Sequence, residues 1–421
     1  EAFEVLGEAN GTLSYVPPAP AQLSLDVLLQ SNSVTLPTVL ADANRSQYSI
    51  QNYGGLGGGN VRTFNYGGLR LSLTPGGGPA QEFTGATLGT RENAGREIAV
   101  RQDGVAGLNV TRKIFVPETG YFARYLELIS NPTEQDVTVD VAIKSEPYGG
   151  YNQFCSFRCE RSPFLSATSS GDNVIDVTSA TPDYWVTLGA GFDPYTDSTQ
   201  AASVAFVFGG PSAPVSATVA AFEAGGYFNQ SSNSQIFTKA AASHAWGGVT
   251  VPAGTTVAIM HFVTMQAGGS PAASASAERL LQLPPEALDG LSADEIAAVR
   301  NFVLPENGIS ALAPRPPLTG TVTGRVFEGD GVSPVPGATV TFESSVLMHP
   351  RRISITADGS GNFSRTGAAG TPIPVADFTV RATYPGTQVT SQTDAVSFPA
   401  GQPTVAHDVV FRDFGIIAGT V

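Results

Sequence analysis

A chain whose side chains alternate between apolar and polar has few folds open to it, and this chain alternates over most of its length. In QDVTVDVAIKS, residues 135–145, Val137, Val139, Val141 and Ile143 share one face while Thr138, Asp140 and Lys144 share the other. A period of two is that of an antiparallel strand with one side in a core and one in water. LNVTRKIFV, YFARYLELIS, LRLSLTP, DYWVTLGA and SVAFVFGG read the same way, whereas TVAIMHFVTMQ is apolar on both faces and predicts a central strand. PGGGP, EAGG and VPAG separate these runs as turns. The expected fold is all-β: a large N-terminal β-sandwich, then a small seven-stranded sandwich of immunoglobulin or transthyretin type.

One stretch departs from the pattern. Residues 272–304 predict two short helices, the first near 274–283, split from the second by Pro284 and Pro285. The second opens on a capping box of Ser292 and Glu295, and Ile296, Val299, Phe302 and Val303 recur at helical spacing. Such helices cover a sheet edge or buttress a junction. Pro314, Pro316 and Pro317 then stiffen a short linker.

The expected organisation is a large sandwich over 1–271, a helical segment packed on it over 272–312, a linker over 313–317, and a small sandwich over 318–415. Residues 416–421 begin a further module or form an assembly strand. That assignment rests on the tripeptide GTV, which stands at 320–322 and again at 419–421. Ile416, Ile417 and Val421 are the apolar residues of the candidate assembly strand. A second echo, NYGGL at 52–56 and 65–69, predicts two turns flanking one excursion. The glycine-rich YGGLGGGN satisfies G-x-G-x-x-G in no register and predicts a loop, not a phosphate cradle.

The net charge of −14 argues against nucleic acid as a partner, since that requires a basic surface. It suits a secreted protein kept apart by self-repulsion. No apolar run reaches the roughly 20 residues of a membrane helix, and the opening EAFEVLGEANGTLSYV reads as strand, not as a signal peptide, which predicts a maturation boundary at its start. Lysine occurs only at 113, 144 and 239 beside many arginines, which points to a GC-rich bacterial coding sequence. The two cysteines, Cys155 and Cys159, are close enough for a small disulfide-closed loop of the kind found in oxidising compartments; two free thiols are the alternative. Their spacing misses that of redox motifs.

Residues 318–415 carry GTVTGRVFEGDGVSPVPGATVTFES, TADGSGNF and FTVRATYPG. The set comprises a G-x-V opening strand, a loop ending in Pro336-Gly337-Ala338, a Thr356-Ala357-Asp358-Gly359 hairpin tip closed by Phe363, and a strand ending in Tyr384. It resembles the carboxypeptidase-regulatory-like domains, a transthyretin-like sandwich family. The resemblance implies an accessory role as a spacer, adhesive or display unit. In the N-terminal part, the run Arg112-Lys113-Ile114-Phe115-Val116-Pro117 and the turn Asn131-Pro132-Thr133 resemble the large supersandwich domains of sugar-related and bacterial surface proteins, at the level of fold.

Catalytic signatures are absent: the chain has neither G-x-S-x-G nor H-E-x-x-H. Of the four histidines, His261 reads as a satisfied core residue, His244 as packing, His349 as part of a solvated loop and His407 as a surface group. No carboxylate is expected in an apolar strand centre, where burial would raise its pKa. Candidate ligand-facing aromatics are Tyr148, Tyr151, Trp185 and Trp246, the last two beside Asp183 and His244. Glu328, Asp330 and Asp358 offer oxygens to Ca²⁺ if their loops meet; turn residues are the simpler reading, because calcium takes six or more oxygens. The N-x-S/T triplets begin at Asn10, Asn44, Asn109, Asn229 and Asn362.

These features predict a non-catalytic extracellular module, structural or adhesive, in a long bacterial surface or filament-forming protein. Its partners are further modules of the same chain or other copies of itself. The alternative is a carbohydrate-active or carbohydrate-binding protein using the N-terminal sandwich.

Overall fold

The structure is a computed structural model that describes residues 32–57, 64, 67–148, 163–189, 202–224, 240–349, 351–366 and 373–412, together with the backbone of a few two-residue strand pairs. It is all-β, with antiparallel sheets and three short helices. A nine-stranded sheet runs Phe164–Thr168, Trp185–Gly189, Ser203–Val207, Thr256–Gln266, Ala123–Ser130, Leu108–Phe115, Glu97–Val105, Leu88–Glu92, Ser33–Thr35. Facing it is a five-stranded sheet in the order Val219–Glu223, Ala241–Val251, Val137–Ser145, Arg70–Pro75, Gln81–Glu82.

Alternation decides which residues meet between the sheets. Val139, Val141 and Ile143 are buried while Thr138, Asp140 and Lys144 are exposed, as their positions predict. The strand Thr256–Gln266 is buried on both faces after its first residue, because the second face lies under helices. Those helices are Ser270–Leu281, Pro285–Leu288 and Ala293–Ala298. They press Ala273, Ala277, Leu280 and Leu288 onto Leu126, Met260 and Phe262.

The helical segment differs from the expectation. There are three helices, not two, and the last stops at Ala298 although its Ser292–Glu295 capping box forms. Val299 instead bridges Ala258 in extended conformation. Asn301 explains the switch: its side chain accepts from Met260 N at 2.8 Å and donates to Met260 O at 2.6 Å and Phe208 O at 3.0 Å. Three buried backbone groups satisfied by one side chain outweigh another helical turn.

Leu56 of the first NYGGL copy and Gly68 of the second exchange hydrogen bonds of 2.9 and 2.7 Å.

Residues 321–410 form two four-stranded sheets around a third core built on Val322, Val326, Phe342, Phe378 and Val380. The opening strand Thr321–Phe327 is central, antiparallel to Asn362–Arg365 and parallel to Thr404–Ala406. The last expected strand divides into Thr404–Ala406 and Val409–Val410. At the 358–361 hairpin tip the left-handed residue is Gly361, not Gly359 (φ 77°), while Asp358 closes the turn by accepting from Ser360 N and Asn362 N at 2.8 Å each.

Candidate functional site

Three of the four aromatic candidates are buried and do not face a ligand. Trp246, Tyr148 and Trp185 are 0%, 2% and 4% exposed. Trp246 follows Ala242 and His244 on the inward positions of its strand, and its Nε1 donates to Phe208 O at 3.0 Å. Tyr151 and Cys159 belong to a two-residue strand pair in which Asn152 stands opposite Cys159. Their side chains lie outside the described residues, as do Cys155, Ile416, Ile417 and Val421.

A carboxylate does stand in a strand centre, contrary to expectation. Glu127 pairs in register with Arg112 on the neighbouring strand, and both are fully buried between the sheets. The guanidinium donates through Nη2 to Oε1 at 2.8 Å and through Nε to Oε2 at 2.9 Å, while His261 Nε2 lies 2.9 Å from Oε1. Burial pushes Glu127 upward, but the Arg112 charge and the His261 hydrogen bond outweigh it and hold the carboxyl below its usual range. Burial dominates at His261 and lowers its pKa, so the ring is neutral. Tyr125 stacks on His261 at 4.9 Å and His244 meets it edge-on at 5.5 Å. A carboxylate and an imidazole in contact have the makings of an acid–base pair. Arg112, Glu127 and His261 are all 0% exposed, so no substrate reaches them, and the cluster orders the interior instead.

A second charged group ties the helices to the sheet. Lys113 Nζ lies 2.6 Å from Glu295, 2.7 Å from Glu92 and 3.3 Å from Glu97. Buried Arg124 donates to Ala287 O at 3.0 Å and Asp289 O at 2.7 Å. Lys113 thus meets three carboxylates, and these contacts fix the ends of two helices that are too short to persist alone.

The third place joins the two halves of the chain. The loop before Arg352–Thr356 packs against the loop 42–46, and His349 is buried in it, not solvated. Asn44 organises the contact with both ends of its amide. Its Nδ2 donates to Met348 O at 2.8 Å and Gln266 Oε1 at 3.2 Å; its Oδ1 accepts from Arg351 at 2.9 Å and lies 3.1 Å from His349 Nδ1. Tyr121 meets the His349 ring edge-on at 5.6 Å. Burial, then Arg351, Arg315 and Arg279, lower His349 to about 3, so it is neutral here. The proline-rich stretch is tied at both sides: Arg315 bonds Thr119 and Arg279 donates to Ala313 O at 2.9 Å. Asp42 holds the loop by accepting from Asn44 N and Ser46 N at 2.8 and 3.0 Å.

The carboxylates considered for calcium serve their own surroundings. Asp330 accepts from Val332 N and Ser333 N, and Glu328 accepts from Tyr384 Oη at 2.9 Å. Among the described residues no group of three or more His, Cys, Asp or Glu is placed to hold a metal ion. His407 is half-buried and bonded to Asp394 at 3.0 Å. Among the described residues no helix is long and apolar enough to cross a membrane.

No family model matches the chain, so none supports the carboxypeptidase-regulatory-like resemblance of its C-terminal part. No curated protein matches either. Among solved structures, the chain is similar to a polysaccharide lyase at 11% identity and TM-score 0.28, over 88% of this chain and 47% of that one. It is similar to a GH36 α-galactosidase of Geobacillus stearothermophilus at 11% identity and TM-score 0.25, over 50% and 32%. It is also similar to the major pilin subunit of Bacillus cereus at 9% identity and TM-score 0.17, over 82% and 95%. The chain thus spans less than half the length of both carbohydrate-active enzymes. Likenesses this distant carry no argument about activity or assembly.

Proposed function

We propose that the chain is a non-catalytic structural module of an extracellular or cell-surface protein, in which two sandwiches are locked into one stiff unit. The joint around Asn44 carries this reading. A simple tether needs no buried polar contacts, whereas here buried His349 and Arg351 are hydrogen-bonded to half-buried Asn44 across more than 300 residues of sequence. Of the two carboxylate–imidazole contacts among the described residues, Glu127–His261 is sealed from solvent, and Asp394–His407 links the strand Asp394–Val396 to the end of Thr404–Ala406 at the surface of the small sandwich. The partners in this reading are further modules of the same chain or other copies of it, with residues 416–421 adding to a neighbouring sheet edge.

Force spectroscopy tests the proposal. Pulled at its ends, the native chain should lengthen only when a sandwich unfolds. An extension step at low force, before either sandwich yields, would contradict a locked joint. Asn44→Ala should create that step.

A further inference from the structure

The outer face of the five-stranded sheet holds a trough that the structural role does not require. Strand register sets its side chains in rows. One row runs Ala221, Ser243, Lys144, Arg70 across four strands. Beside it Glu223 stands opposite Ala241, and Glu146 follows Lys144 by two residues and so shares its face. Small residues on Val219–Glu223 and Ala241–Val251 leave a cleft of about 510 Å³, walled by Glu223 on one side and by Lys144, Glu146, Arg70 and Glu82 on the other.

Two further features set the trough apart from a solvated sheet face. Lys144 and Arg70 are direct cross-strand partners, and like charges so placed cost stability. Lys144 and Glu223 make no ion pair among the described residues. Arg70 is also positioned, its guanidinium lying 4.6 Å over the Tyr53 ring. Gly67 permits this closure, since a Cβ there would come within 2.8 Å of Arg70 Nε and 2.9 Å of Tyr53 Oη.

We propose that this trough binds a neutral glycan. A hydroxyl both donates and accepts, so one sugar ring can accept from Lys144 and Arg70 while donating to Glu146 and Glu223. A polyanion would meet three glutamates, Glu82, Glu146 and Glu223, on a chain of net charge −14, and a polyamine would meet the two cations Lys144 and Arg70. The volume falls within the roughly 300–1,000 Å³ of small-molecule sites. The inference adds a ligand to the N-terminal sandwich and does not depend on the joint.

The test is a glycan array with the full chain, followed by calorimetry with the strongest neutral oligosaccharide and with polygalacturonate and spermine as charged probes. Neutral glycan binding is expected, with at least about a tenfold loss of affinity in Ser243→Trp, which fills the floor, and in the double variant Lys144→Gln/Glu223→Gln. Both changes are on the solvent side, and an unchanged melting temperature checks the fold. If Ser243→Trp misfolds, the double variant decides. Asn44→Ala should bind as the native chain does, which separates this inference from the structural proposal. Absence of neutral glycan binding, tighter binding of either charged probe, or native affinity in the variants overturns it.

Discussion

Asp42 should make the stability of this protein fall as pH rises through neutrality. The side chain is 5% exposed at the joint. Burial pushes its pKa from 3.8 to about 7, although Ser46 N, Asn44 N, the Tyr48 hydroxyl and the Arg351 charge all pull the other way. Arg96 is a further nearby cation, and Tyr48 stays protonated because burial raises it well above its usual value.

The folded pKa lies above the unfolded one, so the folded state holds a proton that the unfolded state releases. The resulting stabilisation is complete below about pH 4 and is lost as pH rises through about 7. A pKa of about 7 against 3.8 corresponds to about 4 kcal/mol over the full range, of which about 2–3 kcal/mol falls between pH 5 and 8. Asp42→Asn keeps an acceptor for the two backbone donors and removes the charge. Urea unfolding of both proteins from pH 5 to pH 8 should show the native curve falling by that amount relative to a flatter variant curve, with m unchanged. Parallel curves would refute the reasoning.

Three other outcomes follow. Glu127→Ala strands Arg112 as a buried charge and should cost about 3–5 kcal/mol in urea unfolding, whereas replacing both partners by apolar residues should recover most of it. Trp246→Ala should cost about 3–5 kcal/mol in the same assay while leaving glycan binding at the trough intact, because the indole is core and not a sugar platform. Asn44→Ala removes contacts to four partners and should weaken the joint by about 2–4 kcal/mol, read as division of one calorimetric transition into two.

Strand placement was legible because a half-buried strand writes its two faces directly into the chain, as Val139, Val141 and Ile143 do against Thr138, Asp140 and Lys144. The same rule held the answer for residues misjudged by chemical type. Arg112 lies between Val110 and Ile114 on one face, and Glu127 between Tyr125 and Ile129. Their alternation assigns both to the interior, and adjacent strands make them partners. His244 and Trp246 share the inward face with Ala242, so an aromatic that looked like a sugar platform was already committed to the core.

The joint left no such trace. Asn44 and His349 are 305 residues apart, and neither stands in a pattern that announces burial. The trough is equally non-local, since Arg70, Lys144 and Ser243 become neighbours only through the register of three strands. The end of the last helix was hidden for a similar reason: Asn301 is decided by the backbone of Met260, not by its own neighbours.

The central claim is that the two sandwiches move as one body, and residual dipolar couplings of backbone amides measure this directly. Couplings from the N-terminal sandwich and from residues 321–410 should fit a single alignment tensor of one magnitude and orientation. Two tensors of different magnitude, with the smaller on the C-terminal sandwich, would mean that the joint is open in solution and would contradict the account.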